Sequence, residues 1–362
     1  MRIAVAIAIV GLLIVAFALF NSHPGVTGKA AFSLASSTGS AAKRGTLTPD
    51  AVLAIAPPKR TAEAASSRKL PPSLQEFYEA KSYAAIYARL SKSTARTGEE
   101  DWMLAQILQR CAKFAEDEPE RFKPWKLGSP DARSRFEASL AANDADRDKR
   151  LKAFDGINYD PCGDLSNLEM SRKDVRALLQ AGADAGDPKA RAALVSYDVS
   201  EQNRGPDGKL RWGPDQTQKI SDAQVETLKQ AVASGDPYAM RSALMTLMGG
   251  NYGNFSLRDA DDRPLNFGAL WQAGQLVGCD YGFDCGPNAQ WIQQGCAFQG
   301  YCAANNLADY MMYYISSPAS SQMIATYENA VRNAVNNGDW SYFHFYPGPN
   351  PATAAYQAPK SP

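Results

Sequence analysis

From about residue 70 onward, apolar residues recur at every third or fourth position with polar residues between them, the period of helices that bury one face. Leu104, Leu108, Cys111 and Ala115 fall at intervals of four, three and four, which predicts a helix from about Glu99 with Cys111 on its buried side. Upstream, Ser73 and Glu76 have capping-box spacing at the head of a stripe formed by Leu74, Phe77 and Tyr78. A polar helix is predicted over residues 131–154, a loop carrying Cys162 over 158–163, and a helix capped by Ser171 after it. The fold class this predicts is all-α.

Two stretches break the period. Residues 3–20 are 18 uncharged, almost wholly apolar positions behind Arg2, and at about 1.5 Å per residue they reach about 27 Å, close to the hydrocarbon thickness of a bilayer. A signal peptide with a small-x-small site would have to be cut inside this run, at Ala16-Phe17-Ala18, so residues 1–20 are expected to stay as a single membrane anchor. Residues 21–69 turn to Ala, Ser, Gly, Thr, Lys and Pro. Such a segment buries too little surface to offset its conformational entropy and is expected to be a disordered linker. The folded domain is then expected over residues 70–345, with a Pro-rich disordered tail at 346–362.

Within the domain, LLQAGADAGDPKARAAL at 178–194 and TLKQAVASGDPYAMRSAL at 227–244 align at an offset of 49 residues, and AVNNGDW at 334–340 is a third echo. Gly186-Asp187-Pro188 matches Gly235-Asp236-Pro237. In such a turn the glycine ends one helix in a left-handed conformation, the aspartate caps the next, and the proline takes the first position, where no amide donor is missed. Ala183, Ala190, Ala193 and Ala239 let the paired helices approach closely. The predicted architecture is stacked antiparallel helical hairpins of the α-solenoid kind. These residues resemble the Sel1-like branch of the tetratricopeptide-type repeats: Gly186, Asp187, Ala190 and Leu194 fit its pattern, and Gly235, Asp236 and Ala239 fit again. Ala243 stands at the second leucine position, and Val195 and Leu244 stand where the family has glycine. The resemblance implies a protein-binding scaffold.

Six cysteines behind an export segment, an even number, read as three disulfides. Neither a C-x2-4-C pair nor a nearby histidine offers a zinc site. Pairing Cys111 with Cys162 leaves Cys279, Cys285, Cys296 and Cys302, whose three connectivities the sequence does not separate. A nested pairing, Cys279 with Cys302 and Cys285 with Cys296, around a helical stretch at 288–295 is sterically reasonable. Cys279, Asp280, Gly282 and Cys285 are also similar to a Cys-Asp-x-Gly-x-x-Cys segment of exported proteobacterial proteins, a likeness that implies no activity.

Charge and chemistry narrow the function. Basic and acidic residues balance at 38 each, and residues 21–68 hold six of the former and two of the latter. With Arg2 set aside, the rest of the chain is negative by five, which argues against a nucleic-acid partner. Only His23 and His344 are available for histidine chemistry, and His344 in SYFHFY reads as a packed side chain. Asp144, Asp146, Asp148, Leu151 and Asp155 follow the spacing of a calcium loop, but Lys149 takes the glycine position with Arg150 beside it, so a solvated helix face is the simpler reading. Asp259, Asp261 and Asp262 lack the closing glutamate, and the glycine-rich residues 249–254 lack the Lys-Ser/Thr ending of a phosphate loop. No catalytic group, metal or cofactor is assigned.

Twelve aromatics lie between Trp291 and Tyr346, and Tyr342, Phe343, Phe345 and Tyr346 form the candidate binding surface. The expected function is a membrane-tethered, periplasm-facing interaction scaffold, single-pass in the inner membrane, with a protein partner in the cell envelope. The alternatives are an enzyme acting on envelope polymers and a secreted or surface factor freed by signal cleavage.

Overall fold

The structure, a computed structural model, describes residues 70–114, 127–205, 218–249 and 254–348, all within one compact unit. The apolar run at 3–20, the linker at 21–69 and the tail beyond 348 lie outside the described residues. Among those described, no helix is long and apolar enough to cross a membrane.

Helices α1 (Pro72–Glu79), α2 (Ala84–Lys92) and α3 (Gly98–Cys111) come first. Pro72 occupies the first position of α1, so Ser73 is inside the helix and does not cap it; its Oγ donates to Glu99 Oε1 at 2.5 Å. The capping box belongs instead to Thr97 and Glu100, at the start of α3. Leu74, Phe77, Tyr83, Trp102 and Leu108 form the first core cluster. Cys111 is bonded to Cys162, as expected, and beside that bond the short strand β1 (Lys113–Phe114) pairs in parallel with β2 (Glu169–Met170).

The single helix predicted over 131–154 is two, α4 (Ala132–Ser139) and α5 (Arg147–Ile157). At the break the Asp146 amide donates to the Asp144 carboxylate at 2.9 Å, a local side-chain bond that competes with the helical ladder. The two halves fold back on each other with Phe136 stacked on Phe154.

The repeat segments form α6 (Arg172–Asp184) and α7 (Pro188–Glu201), then α8 (Asp222–Ala233) and α9 (Pro237–Gly249). Ser171 caps α6 as predicted. Gly186 and Gly235 both take positive φ, 90° and 69°, and both aspartates cap: Asp187 accepts from the Ala190 amide at 2.8 Å and Asp236 from the Ala239 amide at 2.9 Å. The hairpins lie side by side through α7, which packs on α8 and α9, while α6 packs on α3. Close approach is built in at Gly182, where an added Cβ would meet Ala190 Cβ and the Gly98 carbonyl oxygen, each at 2.8 Å.

Helix α9 packs on α10 (Phe267–Asp280), which lies along α13 (Pro318–Asn337). Between them are α11 (Gln290–Gln294), continued by a π-helical turn over Gly295–Gln299, and α12 (Leu307–Asp309), continued by a π-helix over Tyr310–Ile315. The nested disulfide pairing is overturned: Cys279 is bonded to Cys285 and Cys296 to Cys302. Each pair is joined by a reversal that a glycine permits, Gly282 at φ 103° and Gly300 at φ 79°, so the chain returns within reach after six residues.

The third echo is half a repeat. Gly338 ends α13 at φ 64°, but Asp339 caps only a turn, accepting from the Ser341 amide. The chain then enters β4 (His344–Pro347), antiparallel to β3 (Phe255–Arg258), with Ser256 opposite Tyr346 and Phe255 opposite Pro347. Ordered structure therefore extends past the predicted boundary at 345.

Candidate functional site

Three helices line a groove of about 530 Å³ along the repeat hairpins. Its lining includes the apolar Ala183, Leu194 and Val195, and the polar Gln180 from α6 and Gln224, Thr227 and Gln230 from α8. The three α8 residues are spaced by three, so they share one helical face. Charged lining groups balance within the groove. Arg176 makes a two-pronged ion pair with Asp198, at 2.7 and 2.8 Å, Gln180 donates to Asp184, and Arg191 donates to the Ala183 carbonyl. The hydrogen bond to Asp198 raises the pKa of Arg176. Gln224 Oε1 accepts from the Ser221 amide and Thr227 Oγ donates to the Ala223 carbonyl.

The predicted aromatic surface is not an exposed patch. Phe343 is buried in the core, and Tyr342, Phe345 and Tyr346 are half-buried. Tyr342 packs edge-on to Tyr327, Phe345 sits against Phe255 and Trp340 beneath the Lys229 ammonium, and Tyr346 lies under Arg258. These rings close the end of the core around the β3–β4 ribbon. His344 Nδ1 lies 3.7 Å from Asp262 Oδ1, beyond a hydrogen bond.

The acidic spacings lead to internal partners. Asp144 pairs with Arg150 at 2.6 Å, Asp146 with Lys149 at 2.7 Å and Asp155 with Arg133 at 2.6 Å, while Leu151 is buried. Asp259 is buried and accepts from the amides of Asp261 and Arg263 and from Arg263 Nε. Among the described carboxylates, those whose pKa moves go down: Asp131 through Ser129, Asp144 through the Asp146 amide, and Asp339 through Ser341. Asp259 also falls, although burial alone would raise it, because Arg263 and the turn amides outweigh that effect.

No family model, curated protein or solved structure matches the chain. The groove escaped the sequence reading because its lining is shared among three helices, and polar residues spaced by three are also what any solvated helix face presents. Its signal was the coincidence of such a row, Gln224-Thr227-Gln230, with a repeat register that turns α8 toward α6 and α7.

Proposed function

We propose that this chain is a binding module for an extended polar peptide segment, held at the membrane by residues 1–20 and displayed in the periplasm or an equivalent oxidising space. The observation that carries the reading is the groove across α6, α7 and α8, with its balanced charge and its mixed apolar and polar lining, suited to the side chains and backbone amides of an extended polypeptide. The six cysteines, all paired, support an oxidising location, and the apolar run supports attachment.

The test is a photo-crosslinking residue at Thr227 in the full chain in intact cells, paired with Thr227→Trp to fill the groove. Crosslinks to one polypeptide segment, lost when excess synthetic peptide of that segment is added, are expected. A purified Thr227→Trp protein that melts as the wild type does should fail to bind that peptide. Equal peptide binding by the filled groove would overturn the reading.

A further inference from the structure

The hairpin of α4 and α5 is packed apart from the rest of the domain. Phe136, Leu140, Leu151 and Phe154 lead a small core of its own, and among the described residues outside 127–157 that core takes in only Cys296 and Ala297, with Phe298 and Cys302 at its edge. Phe298 stands edge-on to Phe136 and Phe154, with ring centroids 5.7 and 6.1 Å away. Arg150 Nε donates to the Ala297 carbonyl at 2.9 Å, while its Nη1 holds Asp144. These contacts fall on the π-helical turn Gly295–Gln299, and α5 also lies along α11, the short helix that leads into that turn. The base of the hairpin is held separately: the Gly128 amide donates to Asn158 Oδ1 at 2.8 Å, and the chain beyond is fixed at Cys162 by its bond to Cys111.

The hairpin therefore docks on a shelf that one disulfide shapes. A π-helical turn is a rare conformation with little support of its own, and here Cys296–Cys302 closes it into a covalent ring. The far side of the turn rests on the main core, where Gly295 is so close to Tyr310 that an added Cβ would strike the ring. The other two bonds sit elsewhere: Cys279 is in the main core with Cys285 packed on it, and Cys111 is in the first core cluster with Cys162 packed on it. Opening either of those disturbs a large core. Cys296 is buried beneath the hairpin and Cys302 is half-buried at its edge, so a thiolate gains that bond by displacing only the hairpin, a local opening.

We propose that the α4–α5 hairpin is a lid latched by Cys296–Cys302 and opened by a dithiol reductant. One thiolate of the dithiol attacks Cys302 Sγ, the S–S bond breaks, and Cys296 leaves as a thiolate. The second thiol then attacks the mixed disulfide and releases Cys302. The dithiol ends as a disulfide, having lost two electrons and two protons, and both cysteines end as thiols. With the ring open the turn is no longer fixed, and the hairpin swings about its base at 158–162, uncovering Phe136, Phe154 and Phe298.

The test is a dithiothreitol titration of the full chain, read by alkylation of each cysteine and by amide hydrogen exchange. Cys296 and Cys302 should become alkylated at a lower reductant concentration than the other four cysteines. At that concentration exchange over 132–157 should rise about tenfold or more, while α6 to α9 keep the protection of the oxidised protein. The full-chain double variant Cys296→Ser/Cys302→Ser should show the open pattern without reductant, and Cys279→Ser/Cys285→Ser should leave the hairpin closed. Unchanged exchange over 132–157 once Cys296 and Cys302 are alkylated would overturn the latch. Loss of protection across α6 to α9 together with the hairpin, or earlier alkylation of another pair, would overturn it as well. If the serine variant does not fold, the titration of the wild-type chain decides alone.

Discussion

Asp187 and Asp236, the caps of two helices 49 residues apart, hold the same ammonium: Lys189 Nζ lies 3.0 Å from one and 3.1 Å from the other. Glu99 at 3.2 Å completes the set, and Trp102 lies beneath it. Equivalent positions of the two hairpins are therefore tied together at a single buried charge, which also joins them to α3. Lys189 is itself the residue that follows Pro188 in the first turn, so one short motif supplies both a cap and the cation that links it to the next cap.

Removing that cation while leaving its three carboxylates is expected to cost about 3–5 kcal/mol, the usual loss when a buried pair is broken on one side. Urea unfolding of Lys189→Met at neutral pH measures it. A loss no larger than the roughly 1 kcal/mol of an exposed ion pair would show that the clasp does not hold the turns.

The same group sets an alkaline dependence. Burial pulls the Lys189 pKa down, but Asp236 and then Asp187 outweigh it, leaving the folded value above the ordinary 10.5. A cation stabilised by folding contributes fully below its unfolded pKa and loses that contribution as pH rises through the folded one. The stability gap between wild type and Lys189→Met should stay constant from neutral pH to about 10 and close above about 10.5. A gap that narrows toward acid instead would mean that the carboxylates, and not Lys189, govern it.

Gly235→Val places a β-branched residue at φ 69° and should cost more than the roughly 1 kcal/mol typical of a point change. Asp236→Ala removes a cap worth about 0.5–2 kcal/mol and one partner of Lys189, so its loss should exceed that of an ordinary cap. Chemical denaturation of both variants, with the disulfides checked by alkylation, decides this. Wild-type stability of Gly235→Val would dissolve the repeat turn.

The turns were legible because a glycine with positive φ, a capping aspartate and a proline at the first position leave little else that Gly-Asp-Pro can do. Pairing of Cys111 with Cys162 followed once the other four cysteines were seen to cluster. What misled was distance along the chain: Cys279 and Cys302 looked like the two ends of one helical pair, while Gly282 and Gly300 reverse the path inside each six-residue interval. The break at Asp144 and Asp146 was hidden for a related reason, since an aspartate that bonds its own backbone looks in sequence like one on a solvated helix face. Strand β4 was missed because its partner β3 lies almost 90 residues earlier.

The β3–β4 register gives a sharp truncation test. Ending the chain after Gly348 should leave the melting temperature unchanged, whereas ending it after Phe343 uncovers Phe255 and removes Phe345 from between Phe255 and Trp340. The shorter protein should melt several degrees lower, by roughly 4 °C or more if about 1–2 kcal/mol of ring packing is lost. Equal melting of the two would mean that the ribbon adds nothing to the core.

Disulfide mapping under non-reducing conditions should recover Cys279 with Cys285 and Cys296 with Cys302 as two separate small rings, and denaturing alkylation should label no thiol. Loop-closure entropy puts the loss from opening Cys111–Cys162, which spans 51 residues, at about 4 kcal/mol, against about 2 kcal/mol for either six-residue ring. A peptide linking 285 to 296 would restore the nested arrangement.

The six cysteines pair in order along the chain, first with second, third with fourth and fifth with sixth: 111 with 162, 279 with 285 and 296 with 302. A polypeptide that enters an oxidising space amino terminus first therefore presents each thiol's correct partner before any competing one has arrived. Oxidation in order of arrival yields the native set directly, with none of the reshuffling, seconds to hours long, that crossed or nested bonds require. For a chain delivered in that way, an oxidant alone is enough to set all three bonds.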